Sequence, residues 1–344
     1  MKAIVQTGPE SIEVDERERP TATENDVLVR VHTAALCGSD IHAYNYEGGY
    51  EWIKLPRVMG HEYSGEVVEV GSAVEEFHPG DPVIEEPIHD CGHCFQCKNG
   101  QSNVCQNFSI TGMHRDGAYT NFTVVDAAHL HEVPTDIPLK HAAITEPTSI
   151  ATRAVLDQSR VLPGETVLVE GPGPIGVLTA MVAHSLGANV LVSGIAQDAE
   201  YRLPLLQELG IDTIDVTTED LEAKTDAMTD GLGFDVAFDT TGHKTGVEMA
   251  TVHVRKGGQI VVVGLPGESS DLFFTPLVRG EVELNTSYGS TWRNFEQALR
   301  LMENGAIQPE QIIDPSFDAE RPEAAIQAFL RSETCKPVFN LDEL

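Results

Sequence analysis

The chain contains six cysteines among its 344 residues, and four of them are closely spaced. They form the pattern Cys91-x2-Cys94-x2-Cys97-x7-Cys105. Four thiolates in one short segment satisfy a closed tetrahedral zinc site, which holds a loop together and leaves no coordination position open. An iron–sulfur cluster is the alternative that uses the same ligands. We expect structural zinc here, and no disulfides, because disulfides are rare in cytoplasmic proteins.

A second possible metal site combines residues from distant parts of the sequence. Cys37 begins the segment CGSDIH, and His61 lies between Gly60 and Glu62. A thiolate and an imidazole are suitable first ligands of a catalytic zinc ion, and Glu146 is a possible third ligand. Each residue alone also has a plain structural interpretation: a small buried thiol, a hydrogen-bonded core histidine and the start of a helix.

A third pattern, GPGPIG at residues 171–176, matches the G-x-G-x-x-G fingerprint of dinucleotide-binding sites. It follows the apolar run at 166–170 and precedes a segment with helical spacing. The first glycine allows a tight turn, the second lets the backbone approach a pyrophosphate, and the third allows the helix to pack closely on the strand. Free N–H groups at the start of the helix favour the phosphates. This context predicts NAD or NADP binding.

The next strand bears on the choice of dinucleotide. In such sites it usually ends near an Asp or Glu that binds the adenosine 2′-hydroxyl, whereas here it ends at Ser193 and Gly194. No carboxylate at this position repels a 2′-phosphate, so the sequence favours NADP while leaving the use of both cofactors open. Ser193 and Arg202 are candidate phosphate contacts, and Arg202 has the alternative role of a surface helix residue. The predicted cofactor-binding residues are Gly171, Gly173, Pro174, Ile175, Gly176, Ser193, Gly194, Arg202 and Gly264.

The elements that must position these residues fall into three stretches. Residues 1–150 contain short β-type runs separated by Gly and Pro turns, which is typical of a barrel-like β domain. Residues 151–284 alternate apolar strands with helical segments, which predicts a parallel, doubly wound sheet. Residues 285–344 contain two helical segments and a last strand, and we expect them to return to the first domain.

The composition restricts the possible partners. With 54 acidic against 22 basic residues the formal net charge is −32, which disfavours binding to nucleic acids and to anionic membranes. The first residues show no signal peptide and no stretch is apolar enough to span a bilayer, so we expect a cytoplasmic protein. Only 8 of the 22 basic residues are Lys, and a dispersed acidic, Lys-poor surface is typical of proteins from high-salt cytoplasm. An unusually acidic mesophilic enzyme is the alternative.

Taken together, the motifs resemble one family in their order along the whole chain: CGSDxH, GHE, the four-cysteine segment, Glu-Pro and the glycine fingerprint. This is similar to the zinc-containing medium-chain alcohol dehydrogenases. The resemblance implies a GroES-like catalytic domain interrupted by a Rossmann domain, two zinc ions per subunit and a homodimer or homotetramer. Glu146-Pro147 resembles the polyol (sorbitol-type) and L-threonine dehydrogenase branch, because the classical alcohol dehydrogenases have a cysteine at this place.

The resemblance also implies a set of ligands for the catalytic zinc ion. Cys37, His61 and Glu146 hold it, and it acts as a Lewis acid on the hydroxyl of a secondary alcohol. The alcohol belongs to a polyol, a sugar or a hydroxy amino acid. Glu62 follows His61 and is similar to the family's adjacent carboxylate, which coordinates the zinc ion either directly or through water.

The implied catalytic residues are Ser39, His42 and Glu62. Ser39 takes the hydroxyl proton and passes it towards solvent through His42 and the cofactor ribose, while the hydride moves to NAD(P). A loop histidine such as His42 has the alternative of a purely structural role.

Substrate choice is where the resemblance weakens. Ala43 stands where sorbitol-type enzymes have a Tyr, and Ser287-Tyr288 stands where they have Arg-Tyr, which is closer to the threonine-dehydrogenase pattern. The first alternative function is therefore an L-threonine 3-dehydrogenase. A zinc-free quinone reductase is disfavoured by the four-cysteine segment, and a redox-inactive zinc- and dinucleotide-binding protein is the alternative from another class.

Overall fold

The computed structural model describes residues 1–314, 316–342 and 344, which form two compact units. Unit 1 comprises Met1–Ser149, Gly289–Leu330 and Lys336–Leu344, and unit 2 comprises Ile150–Tyr288 and Arg331–Cys335. Unit 2 therefore interrupts unit 1 in the sequence. No helix in the described part of the chain is long and apolar enough to cross a membrane.

The strands are short, as expected from the frequent Gly and Pro turns. Those of unit 1 are β1 (Lys2–Gly8), β2 (Ser11–Glu16), β3 (Asp26–Ala35), β4 (Arg57–Val58), β5 (Glu62–Val70), β6 (Pro82–Glu85), β7 (Ile88–His89), β8 (Ser109–Ile110), β9 (Phe122–Asp126), β10 (Leu130–Glu132) and β17 (Val338–Asn340). Those of unit 2 are β11 (Thr166–Glu170), β12 (Asn189–Gly194), β13 (Asp212–Asp215), β14 (Phe234–Asp239), β15 (Val254–Val262) and β16 (Glu283–Thr286).

The helices lie mostly in unit 2 and in the last part of the chain. They are α1 (Gly38–Asn45), α2 (Phe95–Lys98), α3 (Leu139–Ala142), α4 (Thr145–Leu156), α5 (Pro174–Ser185), α6 (Arg202–Glu208), α7 (Leu221–Thr229), α8 (Gly246–His253), α9 (Phe274–Gly280), α10 (Trp292–Glu303), α11 (Pro309–Ile312) and α12 (Pro322–Leu330).

Unit 1 is built on an antiparallel sheet with the strand order β10-β6-β5-β3-β17, and β9 also pairs with β3. A smaller sheet has the order β2-β1-β4. Residues of β1, β3 and β17, such as Ile4, Val29 and Phe339, are fully or almost fully buried in one apolar core. Because β17 pairs with β3, the end of the chain lies beside the strand that leads to Cys37.

The sheet of unit 2 is parallel throughout, with the order β13-β12-β11-β14-β15-β16. Its central strand β11 is fully buried at Val167, Leu168 and Val169, as expected of a strand with helices on both faces. The order reverses between β11 and β14, and ligands of such sheets bind beyond the carboxyl ends of the strands at this point. The two units confirm the predicted fold class, a β domain of the GroES-like type with an inserted Rossmann domain.

Candidate metal, catalytic and dinucleotide sites

The four-cysteine segment brings its thiols together. All four Sγ atoms of Cys91, Cys94, Cys97 and Cys105 lie within 4.8 Å of one another. Cys94 is 3.3 Å from Cys97 and 3.8 Å from Cys105, and Cys91 is 4.0 Å from Cys97. A tetrahedral zinc ion with Zn–S bonds of 2.3 Å requires sulfurs about 3.8 Å apart. A disulfide requires about 2.05 Å, and all four thiols are free.

The electrostatics of this segment favour at least one thiolate. The backbone N–H of His93 is the main cause that lowers the pKa of Cys91 to about 6. The segment itself contains only the short helix α2 and one turn of 3₁₀ helix at Ser102–Val104. Its internal backbone hydrogen bonds are short-range turns, such as Lys98 N–H to the Cys94 carbonyl, and a metal ion is a suitable means of joining its two ends.

A second cluster lies where α1 and β5 begin. Among the described residues, the ligand atoms of Cys37, His61 and Glu62 lie within 4.8 Å of one another. Cys37 immediately precedes α1, and its backbone N–H donates to the Asp40 carboxylate at 3.1 Å. His61 and Glu62 are buried, with Glu62 as the first residue of β5. A thiolate, an imidazole and a carboxylate at this spacing are a suitable donor set for zinc.

The ring of His61 is held from both sides. Its Nδ1 is 3.5 Å from Oδ1 of the buried Asp40, and its Nε2 is 3.3 Å from Oγ of Ser39. Tyr119 donates its hydroxyl to Oδ2 of Asp40 at 2.7 Å and fixes that carboxylate. Burial opposes a charge on His61, but Asp40 and Cys37 outweigh burial and raise its pKa well above the usual value. A raised pKa favours the doubly protonated ring, so a metal ion that binds Nε2 must displace the proton there, while Nδ1 keeps its own proton towards Asp40.

Glu62 is neutralised by a residue that sequence patterns did not single out. The ammonium of Lys336 lies 2.7 Å and 2.5 Å from the two carboxylate oxygens of Glu62. It also donates to the carbonyl of Leu36 at 3.1 Å. Lys336 is 1% exposed and Glu62 is fully buried, so the pair is closed to solvent. Lys336 reaches Glu62 because β17, which follows Lys336 in the sequence, pairs with β3. No local sequence motif indicates this pairing.

Glu146 occupies the first turn of α4 and is half-buried. Burial, followed by the charge of Glu62, raises its pKa to about 7. Its charge also acts on the pKa of His61 and of Lys336, so it belongs to the same electrostatic neighbourhood. It is not within the group of mutually close ligand atoms that Cys37, His61 and Glu62 form.

The last residues of this site are on α1 and on the loop that follows it. His42 is half-buried, and its ring stacks on that of Tyr50, with 5.8 Å between centroids. Nδ1 of His42 has no hydrogen-bond partner among the described residues. Gly48 has a φ of +65°, and a Cβ there would lie 3.3 Å from that nitrogen. The loop after α1 therefore packs directly on His42.

The glycine fingerprint forms the predicted turn between β11 and α5. Gly171 has a φ of +93°, which favours glycine, and a Cβ on Gly176 would lie 1.8 Å from the Gly171 carbonyl oxygen. Gly173 directly precedes α5 with nothing within 4 Å of a Cβ there, so its backbone is open to a ligand. Pro174 and Ile175 begin the helix. Gly264 lies beyond β15, where a Cβ would be 2.3 Å from a neighbouring backbone nitrogen.

The three residues considered for cofactor choice occupy different environments. Ser193 and Gly194 end β12 and are buried. Arg202 is only 8% exposed: its Nε donates to the Thr334 carbonyl at 2.9 Å, and its Nη1 is 3.5 Å from Asp198. Its guanidinium is therefore engaged inside unit 2 and is not that of a surface helix residue.

The chain also has matches among known proteins. The chain matches the family model described as the alcohol dehydrogenase GroES-like domain over residues 23–135 and that described as zinc-binding dehydrogenase over residues 174–304. It is 33% identical to a sorbitol dehydrogenase of Halalkalibacterium halodurans over 98% of both chains. It is also 33% identical to an L-threonine 3-dehydrogenase of Shewanella frigidimarina, over 99% of this chain and 100% of that one.

Solved structures give the same result for the fold. A short chain alcohol dehydrogenase (rspB) from Escherichia coli CFT073, complexed with NADH, superposes with a TM-score of 0.90 and 29% identity over 99% of both chains. A zinc-binding dehydrogenase from Sinorhizobium meliloti 1021, bound to NADP, gives a TM-score of 0.88 and 27% identity over 98% of both chains. The similarity covers both units.

Proposed function

The chain belongs to the zinc-binding alcohol dehydrogenases of the medium-chain type, and we propose that it transfers a hydride between the secondary alcohol of a polyol, sugar or hydroxy amino acid and NAD(P). The observation that carries this proposal is the close grouping of Cys37 with the buried His61 and Glu62, with Ser39 beside them. The glycine turn of unit 2 supplies the site for the second substrate, the dinucleotide.

The residues of unit 1 have different roles at the substrate hydroxyl. Cys37 and His61, with Glu146 or Glu62 as the further ligand, would hold a zinc ion, which when bound would supply Lewis-acid chemistry at that hydroxyl. Asp40 keeps the imidazole of His61 oriented. Lys336 neutralises Glu62, so the site carries one negative charge fewer when the substrate binds.

Ser39 and His42 form the route by which the proton of the substrate hydroxyl leaves the site. Ser39 Oγ, which is 3.3 Å from His61 Nε2, is placed to accept the hydroxyl proton. His42 is one turn further along α1 and is only half-buried, so it can pass the proton to water. The alcohol loses one proton to solvent by this route and one hydride to the nicotinamide, and a carbonyl compound is formed.

For the dinucleotide we infer use of both cofactors, with NADP preferred. The support is that Ser193 and Gly194, which end β12, carry no acidic side chain, and that the nearby carboxylate of Asp198 is paired with Arg202 at 3.5 Å. Arg202 does not contribute a free guanidinium, because it is bonded to Asp198 and Thr334. The ratio of kcat/KM for NADP⁺ to that for NAD⁺ tests this point, and a ratio below one would contradict the preference.

The main experiment combines metal analysis with turnover. Zinc is measured per chain, and reduction of NAD⁺ and NADP⁺ is followed with sorbitol, xylitol, aldoses and L-threonine. We expect two zinc ions per chain, one in each cluster, and turnover of one substrate class. Turnover of L-threonine alone would assign the second candidate function. A single tightly held zinc ion without turnover of any alcohol would favour a redox-inactive binding protein.

We also infer a homodimer or homotetramer in the cytoplasm. Unit 2 exposes several large apolar side chains, of which Val252, Phe273 and Val278 are each more than 70% exposed. Its outermost strand β16 pairs on one side only, with β15. Exposed apolar side chains and an unpaired strand edge favour association. Free thiols throughout the chain suit a reducing compartment. Sedimentation velocity tests the oligomer, and a monomer at micromolar concentration would exclude it.

A further inference from the structure

Two carboxyl groups are buried side by side behind the glycine turn of unit 2, and neither takes part in the proposed hydride transfer. Glu170 is the last residue of β11, and Asp239 is the last residue of β14. They are register partners on adjacent parallel strands, so their side chains lie on the same face of the sheet. Glu170 is 2% exposed and Asp239 is fully buried.

Three of the four carboxyl oxygens of this pair lack partners. Among the described residues, neither oxygen of Glu170 has a hydrogen-bond partner, and Oδ2 of Asp239 has none. Oδ1 of Asp239 accepts from the backbone N–H and the hydroxyl of Thr241, at 3.0 Å and 2.7 Å. The hydrogen bonds from Thr241 favour the charged form of Asp239 but do not outweigh burial, which raises its pKa, whereas no hydrogen bond from the described residues stabilises a charge on Glu170.

Among the described residues no cation acts on Glu170, whereas the charge of His243 opposes the effect of burial, which raises the pKa of Asp239. The register neighbour of Glu170 on β12 is the uncharged Ser193. The titratable side chains on the elements packed against β11 are Asp235 and Asp239 on β14, His184 on α5, and Glu248 and His253 on α8. Of these, only Asp239 affects Glu170: burial first, and the charge of Asp239 second, raise the pKa of Glu170 well above its usual value.

The pair is also tied to both loops that form the dinucleotide edge. The backbone carbonyl of Glu170 accepts from the backbone N–H and the hydroxyl of Thr240, at 3.0 Å and 2.7 Å. Gly171, the first glycine of the fingerprint, follows Glu170 directly, and its carbonyl also accepts from Thr240 at 3.0 Å. A charge on Glu170 would thus lie directly before the glycine loop that receives the negatively charged pyrophosphate.

We propose that dinucleotide affinity is linked to one proton on the buried carboxyl group of Glu170: the neutral acid permits binding at the glycine turn, and the anion opposes it electrostatically. At low and neutral pH the neutral acid leaves the loop without a repelling charge. As the pH rises, Glu170 releases its proton to water and becomes an anion beside Asp239. The bound dinucleotide opposes this ionisation, so by reciprocity ionisation weakens dinucleotide binding.

The magnitude follows from the linkage of one proton. Once the pH exceeds the pKa of Glu170 in the free protein, the Kd for NAD(P) rises by about tenfold per pH unit. The Kd stops rising once the pH exceeds the pKa of Glu170 in the complex, which is higher than its pKa in the free protein. Because the pKa of Glu170 in the folded protein is raised, the dinucleotide affinity is greatest at pH values below this pKa and is lost at pH values above it.

The test measures the Kd of NAD⁺ and NADP⁺ by titration calorimetry from pH 6 to pH 10, without substrate. We expect the wild type to lose affinity at alkaline pH and Glu170→Gln, which keeps the shape but cannot ionise, to retain it. Glu208→Gln changes an exposed glutamate of the same unit and should behave as the wild type does. Asp239→Asn removes the charge that raises the pKa of Glu170, so its loss of affinity should begin at lower pH.

A spectroscopic measurement keeps the inference testable if a variant binds poorly. We expect an infrared band of a protonated carboxylic acid in the wild type at pH 7 that is absent from Glu170→Gln. A carboxylate band instead, with stability that depends on the identity of the alkali cation, would overturn the inference in favour of a bound cation. The inference rests on the dinucleotide site: identical pH profiles in wild type and Glu170→Gln would refute it alone, whereas no binding at any pH would refute the cofactor assignment as well.

Discussion

Single residues around His61 carry the proton chemistry that we propose for unit 1. Asp40 and Ser39 contact opposite nitrogens of the ring, so His61 has no freedom to rotate without losing one of them. Tyr119 extends this arrangement, since it fixes Asp40 and is itself fully buried. Ser39 is half-buried, and its hydroxyl is hydrogen-bonded to His61 at 3.3 Å.

Replacement of Ser39 by alanine tests the proton relay. We expect kcat to fall by about 100- to 1,000-fold, the usual contribution of a positioned proton-transfer group. Zinc content and the Kd for NAD(P) should stay unchanged, because Ser39 is neither a ligand nor part of unit 2. Steady-state kinetics, metal analysis and calorimetry measure the three quantities. Ser72→Ala, at an exposed position, is the matched control, and an equal kcat in both variants would remove Ser39 from the mechanism.

The buried pair of Lys336 and Glu62 makes a second prediction at this scale. Lys336→Met leaves the carboxylate of Glu62 buried without a counter-charge, which should lower the free energy of unfolding by about 3–5 kcal/mol. Chemical denaturation of the zinc-free protein measures it without the contribution of the metal. Lys2→Met breaks the exposed pair with Glu320 and should cost at most about 1 kcal/mol. Similar losses in the two variants would show that Lys336 does not neutralise Glu62.

At the scale of elements, the four-cysteine segment depends on metal more than any strand or helix does. We expect Cys97→Ser to lose one zinc ion per chain and Cys37→Ser to lose the other, as measured by atomic emission. Hydrogen exchange should then increase at residues 91–105 in Cys97→Ser, while β11 and β14 stay protected, because those strands lie in unit 2. Loss of both ions from Cys97→Ser would mean that the two sites are not independent.

Elements with a strong local pattern could be predicted from the sequence. The apolar run at 166–170 is β11, and the helix expected at 175–186 is α5 at Pro174–Ser185. The strand expected at 259–264 is instead β15, which begins at Val254, before Gly257 and Gly258, and continues to Val262; Gly257 has a φ of +65°, and the register with β14 shifts between Phe234 and Val236. The eight-residue helix α1 was not expected, since only Asp40, Ile41 and Ala43 are buried and no apolar periodicity results.

Contacts between elements could not be predicted from local sequence patterns. Lys336 stands 274 residues from Glu62 in the sequence, and only the pairing of β17 with β3 brings it there. Likewise Glu170 and Asp239 each look like the polar end of a buried strand, and their juxtaposition depends on the order of strands in the sheet. The sequence motifs thus identified the candidate metal ligands and the glycine turn. The residues that affect the charge of these sites, such as Lys336, could be found only from the pairing of strands in the structure.

At the scale of the whole molecule, the net charge of −32 on 344 residues predicts a dependence of stability on salt. Dispersed like charges repel one another across the surface, and the distance over which they do so falls from about 10 Å in 0.1 M salt to about 3 Å in 1 M salt. The unfolded chain spreads its charges further apart, so repulsion favours unfolding at low ionic strength. High salt removes this penalty.

We therefore expect the melting temperature to rise steadily as KCl increases from millimolar to molar concentration, as followed by circular dichroism. Screening can be separated from other effects of salt by a variant that carries less charge. Glu75→Gln with Glu76→Gln neutralises two adjacent exposed carboxylates, so it should melt at a higher temperature than the wild type in low salt and converge with it in molar KCl. Equal melting temperatures of the wild type at both salt concentrations would rule out self-repulsion as the cause, and with it the adaptation to high salt that the composition indicates.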